Sequence, residues 1–136
     1  MINVVNNFGK NAGKIWTVLN DNGPLTRDGI LKKTRLKEND FYAGLGWLAR
    51  ENKICKTGSR YELRETNLTD LIGGYAGKIW NTLSTQEDID ISTIAKTTQI
   101  PVRDAYSAIG WLARENKLKI TNNKTTNQQL IFSLKR

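Results

Sequence analysis

The sequence predicts an α+β protein, mainly α, in which two tandem copies of one small unit pack as a pseudodimer. Residues 46–53 (GWLARENK) reappear unchanged at residues 110–117, 64 positions later. Residues 12–16 (AGKIW) recur at the same offset. Of the 46 positions from 8 to 53, 20 are identical to the residue 64 positions on. A constant offset indicates a tandem duplication without an internal gap.

The two predicted units are residues 1–66 and residues 67–136. A domain of this size buries only a small core and is marginally stable alone. The two copies are therefore expected to pack against each other.

The first two helices of unit one follow from apolar spacing and capping residues. Apolar side chains recur at helical spacing over residues 7–20, and we expect Trp16 to lie in the core on this face. Residues 21–24 (DNGP) end that helix in a turn. Thr26 is then placed to cap a second helix over residues 27–34.

The third helix of unit one is predicted over residues 38–51, with Asn52 as its left-handed C-terminal cap. Two short strands, 54–56 and 60–64, then form a hairpin around the turn at residues 57–59.

Unit two repeats this order with a longer hairpin loop. Thr69 and Ser92 are the expected caps of its first two helices, Pro101 suits the first turn of the third, and Trp80 is expected in the core. The predicted helices cover residues 70–83, 93–98 and 101–115, and the predicted strands cover 118–120 and 130–134.

Three helices, with a short turn between the second and third, followed by a two-stranded hairpin form a winged helix-turn-helix. An unrelated α+β unit is the alternative. The sequences at residues 12–16 and 46–53 resemble those of a family of small bacterial and archaeal winged helix-turn-helix domains of unknown function. The resemblance covers both units. It implies the fold, and it implies DNA binding only by analogy.

The composition favours a polyanionic partner. The chain has 21 basic and 13 acidic residues, a net charge of +8, with +5 in residues 1–68 and +3 in residues 69–136. Such a balance suits DNA, RNA or an anionic membrane surface. No apolar stretch is long enough to span a membrane, and no signal peptide is recognisable at the N-terminus. We therefore expect a cytoplasmic protein without a membrane partner.

Catalytic and metal-binding residues are scarce. The sequence has no histidine and a single cysteine, which excludes a Cys/His metal cluster and a disulfide within the chain. It also has no Gly-rich phosphate loop and no nucleophile beside an evident base. We expect a protein that is not an enzyme and that carries no cofactor and no metal.

The leading functional hypothesis is a small DNA-binding transcription regulator or nucleoid-associated factor. The basic turn between the second and third helices of unit one would contact phosphates, and the third helices and wings would contact the grooves. The candidate nucleic-acid-binding residues are Lys32, Lys33, Arg35, Lys37, Asn39, Lys56, Arg60, Lys96, Arg103, Lys119 and Lys124.

The third helices carry a second signal, which points away from base reading. Their outer faces place Gly46 beside Trp47 and Gly110 beside Trp111, a surface poor in groups that bond base edges. The tryptophans are compatible with packing inside a unit, with an interface between units or molecules, and with direct contact to nucleic acid. The alternative function is therefore a protein-interaction module that does not read DNA, and RNA binding is a third possibility.

Overall fold

The structure is a computed structural model that describes residues 4–123 and 129–135. In this part of the chain each unit has three helices and a small antiparallel sheet, which confirms the predicted fold class. Unit one contains α1 (Val4–Asn22), β1 (Leu25–Thr26), α2 (Arg27–Thr34), α3 (Glu38–Arg50), β2 (Cys55–Thr57) and β3 (Arg60–Glu62). Unit two begins with a π-helical turn (Thr69–Gly73) and continues with α4 (Gly74–Thr85), β4 (Ile89–Asp90), α5 (Ile91–Thr98), α6 (Val102–Arg114), β5 (Leu118–Asn123) and β6 (Gln129–Leu134).

Each hairpin gains a third strand from the residues just before the second helix. The strand orders are β1-β3-β2 and β4-β6-β5. Leu25 pairs with Tyr61 in the first sheet, and Ile89 pairs with Phe132 in the second. The registers therefore make Phe132 the equivalent of Tyr61, although more residues separate β5 from β6 than separate β2 from β3.

The predicted caps are partly right. Thr26 caps α2, since its Oγ1 accepts a hydrogen bond of 3.1 Å from the backbone N–H of Gly29. Asn52 and Asn116 both have a φ of 61°, so each ends its helix in the left-handed conformation as predicted.

The N-terminal caps predicted for the first two helices of unit two are wrong. Asp90, not Ser92, caps α5, and its carboxylate accepts a 2.8 Å hydrogen bond from the N–H of Thr93. The reason is that β4 ends at Asp90 as β1 ends at Thr26, so the helix starts before Ser92. Thr69 is already the first residue of the π-helical turn, whose N-cap is Leu68.

Each core contains buried residues from the other unit. Phe8 of α1 is buried in the core of unit two, while Ile72, its equivalent 64 positions later, is buried in the core of unit one. Each unit therefore completes its core with the start of the other unit's first helix, and the two copies form one folded body.

The expected core positions of Trp16 and Trp80 are wrong, since these residues are 39% and 42% exposed. The buried stripe of α1 consists of Phe8, Ala12, Ile15 and Leu19. Trp16 follows Ile15, and so lies about 100° around the helix from it. No described helix is both long and apolar enough to cross a membrane.

Candidate nucleic-acid interface

The third helices of the two units, α3 and α6, pack against each other through glycines. A Cβ added to Gly46 would overlap the carbonyl of Ser107 and would lie 3.0 Å from the backbone nitrogen of Trp111. A Cβ on Gly110 would overlap the carbonyl of Ala43 in the same way. The helix backbones are in direct contact, so neither position has room for a side chain.

The two third-helix tryptophans contact both units. The ring of Trp47 lies against Gly9 of its own unit, at 3.0 Å from the position of an added Cβ, and Trp111 lies against Gly73 at 3.3 Å. The guanidinium carbon of Arg114, from the other unit, is 5.9 Å from the centroid of Trp47. Packing inside a unit and contact between units therefore both occur.

Reciprocal ion pairs flank the glycine contact. Arg50 Nε donates to Glu115 Oε2 at 3.1 Å, and Arg114 Nε donates to Glu51 Oε2 at 3.0 Å. Arg50 also lies 5.7 Å from the centroid of Trp111. The arginines are nearly half exposed, so each pair contributes on the order of 0.5 kcal/mol. The repeated eight-residue block thus builds the contact between units, and this contact covers the helix face that would enter a major groove.

The basic turn of unit one stays on the surface. Lys32, Lys33, Arg35 and Lys37 are all exposed, and their side chains form no ion pair within residues 4–123 and 129–135. Arg35 ends α2 with a φ of 60°, and its N–H donates to the carbonyl of Leu31 at 2.8 Å. The cations at the end of α2 also face the negative end of the helix dipole.

The remaining candidates are scattered over several surfaces. Asn39 is exposed at the start of α3, Arg60 is exposed on the wing of unit one, and Lys119 is exposed on β5. Lys96 is exposed in α5. Lys124 lies outside the described residues.

Two candidates from different units, Lys56 of β2 and Arg103 of α6, line one open cleft of about 390 Å³. We call it the interunit cleft. Arg27 and Tyr42 also line it. No sequence signal pointed to these two residues, because neither belongs to a recognisable motif. The described residues that line the cleft are Thr26, Arg27, Asp28, Tyr42, Lys56, Ser59, Tyr61 and Arg103.

Contacts inside the interunit cleft fix several of its side chains. Arg27 Nη1 donates to Tyr42 Oη at 3.3 Å, and Arg27 Nη2 pairs with Asp28 Oδ1 at 3.2 Å. Lys56 Nζ lies 5.8 Å from the ring centroid of Tyr61. Burial raises the pKa of Tyr61 to about 12, so its hydroxyl stays protonated at neutral pH.

A family model for a winged helix-turn-helix domain, DUF2582, matches the chain twice, at residues 4–64 and 63–134. The chain belongs to this winged helix-turn-helix family. The DUF2582 match covers both units, as the resemblance of residues 12–16 and 46–53 predicted. No curated protein and no solved structure matches the chain. The division of this DUF2582 chain at residue 66 stays a prediction.

Proposed function

We propose that the chain binds duplex DNA through the phosphate backbone and does not read bases with its third helices. The observation that carries this proposal is the exposed turn of unit one, where four of six consecutive residues, 32–37, are cations without a carboxylate partner among the described residues. We also propose that the protein acts by binding and not by catalysis.

The buried third-helix faces explain why base reading is left out of the proposal. A helix reads a major groove with side chains on its outer face. In α3 and α6 that face holds Gly46 and Gly110, which lie against the backbone of the other helix. Phosphate contacts, in contrast, need only exposed cations and carry no sequence information.

The basic turn makes a quantitative expectation possible. Each phosphate contact adds about 0.9 to the slope of log affinity against log salt concentration, so four contacts give a slope of about −3.6. The affinity should then fall roughly a hundredfold between 50 mM and 200 mM salt.

A matched pair of variants tests which cations are responsible. Lys33→Thr with Arg35→Gln introduces the residues that unit two has at the same positions, Thr97 and Gln99. Gln99 has a φ of 58°, so glutamine is compatible with the backbone of Arg35. Binding is measured by fluorescence anisotropy of a labelled random 20-base-pair duplex, and we expect a loss of about tenfold at low salt.

The control removes two charges elsewhere. Lys10→Gln with Lys78→Gln has the same net charge as the test variant, but the changes lie on exposed positions of α1 and α4. It should bind within about twofold of the unmodified chain. Absence of binding at 50 mM salt, or an equal loss in both double variants, would refute the proposal. A preference of more than about tenfold among unrelated duplex sequences would refute backbone-only recognition.

The second candidate is a protein-interaction module, and one observation favours it. Trp16 and Trp80, at equivalent positions, leave about two fifths of their surfaces exposed. Large exposed aromatic side chains are enriched where proteins bind each other. If the chain does not bind duplex DNA, replacement of both tryptophans should weaken its binding to a protein partner. The free energy of unfolding should change little, because both side chains are partly exposed.

A further inference from the structure

We propose that the interunit cleft is a binding site for a small phosphate ester, built jointly by the two units. This inference goes beyond the proposed DNA binding, which rests on a different set of cations.

Three cationic side chains from three elements line the interunit cleft. Arg27 comes from the first turn of α2, Lys56 from β2 and Arg103 from α6 of the other unit. A volume of about 390 Å³ lies within the range of pockets that hold small ligands. Because Arg103 reaches the cleft from unit two, the site exists only when the two units are packed together.

The positive charge of the interunit cleft is only partly compensated. Arg27 is paired with Asp28 at 3.2 Å and lies 3.8 Å from Glu38. In the described part of the chain, Lys56 and Arg103 have no carboxylate within ion-pair distance. Two uncompensated cations that line one cleft favour an anion bound in it.

Most polar side chains of the cleft can donate a hydrogen bond. Four of the lining residues, Thr26, Tyr42, Ser59 and Tyr61, carry hydroxyls, and Asp28 is the one carboxylate among the described lining residues. A phosphate ester presents several acceptor oxygens and matches planar guanidinium groups well. The tyrosine rings add an apolar surface for the organic part of the ester. A phosphate ester therefore uses both kinds of surface that the cleft offers.

Unit two shows that these cations are not a by-product of the repeat. The strand registers align Lys56 with Ile120, because these residues pair with Tyr61 and Phe132 respectively. The offset of 64 residues aligns the other two cations. All three cations are replaced at the equivalent positions: Arg27 by Ile91, Lys56 by Ile120 and Arg103 by Asn39. The duplication created two equivalent sets of three positions. The set that lines the interunit cleft carries three cations, as an anion site requires.

Nuclear magnetic resonance of the full chain with thymidine monophosphate tests the proposal. We expect saturable shifts of the backbone amides of residues 26–28, 59–61 and 103, with competition by inorganic phosphate. Thymidine without the phosphate should cause no such shifts. Arg103→Asn, which introduces the residue found at the equivalent position, should weaken the nucleotide about tenfold because one charge-assisted contact is lost.

The control variant is Lys78→Gln, which removes one charge on α4 and should leave the affinity within about twofold. Equal shifts with thymidine, equal losses in the two variants, or no saturation up to about 10 mM of nucleotide or phosphate would overturn the proposal. If a duplex shifts the cleft amides and the nucleotide does not, the recognised phosphates are those of DNA and the small-ligand proposal is wrong. Failure of DNA to bind anywhere leaves the nucleotide test unaffected.

Discussion

The two units are identical in the eight-residue block that joins them and differ in two of their exposed cationic surfaces. The block at residues 46–53, which builds the contact between α3 and α6, is identical in both copies. The exposed turn after the second helix has four cations in unit one and one, Lys96, in unit two. The interunit cleft has three cations, and the three equivalent positions carry none. The contact needs both copies of its residues, while one copy of a binding surface is sufficient.

Tandem linkage explains how such a difference can arise. In a symmetric homodimer every substitution occurs twice, so a surface cannot change on one subunit alone. When two units share one chain, each surface can change separately. The interlocked contact still constrains both copies, because Gly46 and Gly110 each lie against the backbone of the opposite helix.

The largest expected effect concerns the contact that the units share. Gly46→Ala should lower the free energy of unfolding by about 3 kcal/mol, because the new methyl group overlaps the carbonyl of Ser107 and backbone must move to admit it. Gly110→Ala should cost a similar amount, since its Cβ would overlap the carbonyl of Ala43. Urea denaturation followed by tryptophan fluorescence measures both losses.

Other helical glycines of the chain provide the control. Gly13 and Gly77 are also helical, and a Cβ on either would meet nothing within 4 Å. Alanine at these positions should raise stability by about 0.5–1 kcal/mol, because glycine is the poorer helix former. Stability losses of the same size at Gly46 and Gly13 would show that the helix contact is not as close as described.

A variant that moves cations from unit one to unit two tests whether the difference in charge between the units determines DNA binding. Starting from Lys33→Thr with Arg35→Gln, the additional changes Thr97→Lys and Gln99→Arg move two cations to unit two. If unit two offers an equivalent surface, the variant with all four substitutions should recover most of the roughly tenfold loss in duplex affinity. Anisotropy at 50 mM salt reports the result. Unchanged weak binding would mean that the wing or other surroundings of unit one are also required.

The sequence predicted where the helices lie better than it predicted which of them pack together. Periodicity and turn residues located all six helices, and the small outer face of the third helices was recognisable from Gly46 and Gly110. Periodicity defines a face of a helix but does not say what covers it, so contact between the third helices of the two units remained one of several alternatives. The interunit cleft was beyond reach for the same reason, since Lys56 and Arg103 lie in different units and meet only through packing.

The second helices of the two units are capped by different side chains. The stabilisation from one of these caps should depend on pH. Thr26 caps α2 with a hydroxyl, whereas Asp90 caps α5 with a carboxylate. The hydrogen bond from the Thr93 N–H lowers the pKa of Asp90 below its ordinary value. The stabilisation from Asp90 is therefore fully present above the unfolded pKa of about 3.9, and it is lost as the pH falls through the lower folded pKa.

Alanine variants measured at two pH values check this difference. Asp90→Ala should cost about 1 kcal/mol at pH 7 and clearly less at pH 3, while Thr26→Ala should cost about 1 kcal/mol at both. Urea denaturation at each pH gives the four values. A cost of Asp90→Ala that does not change with pH would show that the carboxylate charge does not contribute to the cap.

The smallest expected effect concerns the two equivalent ion pairs at the contact between α3 and α6. Double-mutant cycles for Arg50 with Glu115 and for Arg114 with Glu51 should each give a coupling of about 0.5 kcal/mol, because both pairs are partly exposed and screened by water. The two values should agree, since the pairs have Nε–Oε2 distances of 3.1 and 3.0 Å. Raising the salt concentration should weaken both couplings in parallel. A coupling confined to one pair would mean that the contact, like the solvent-facing surfaces, differs between the two units.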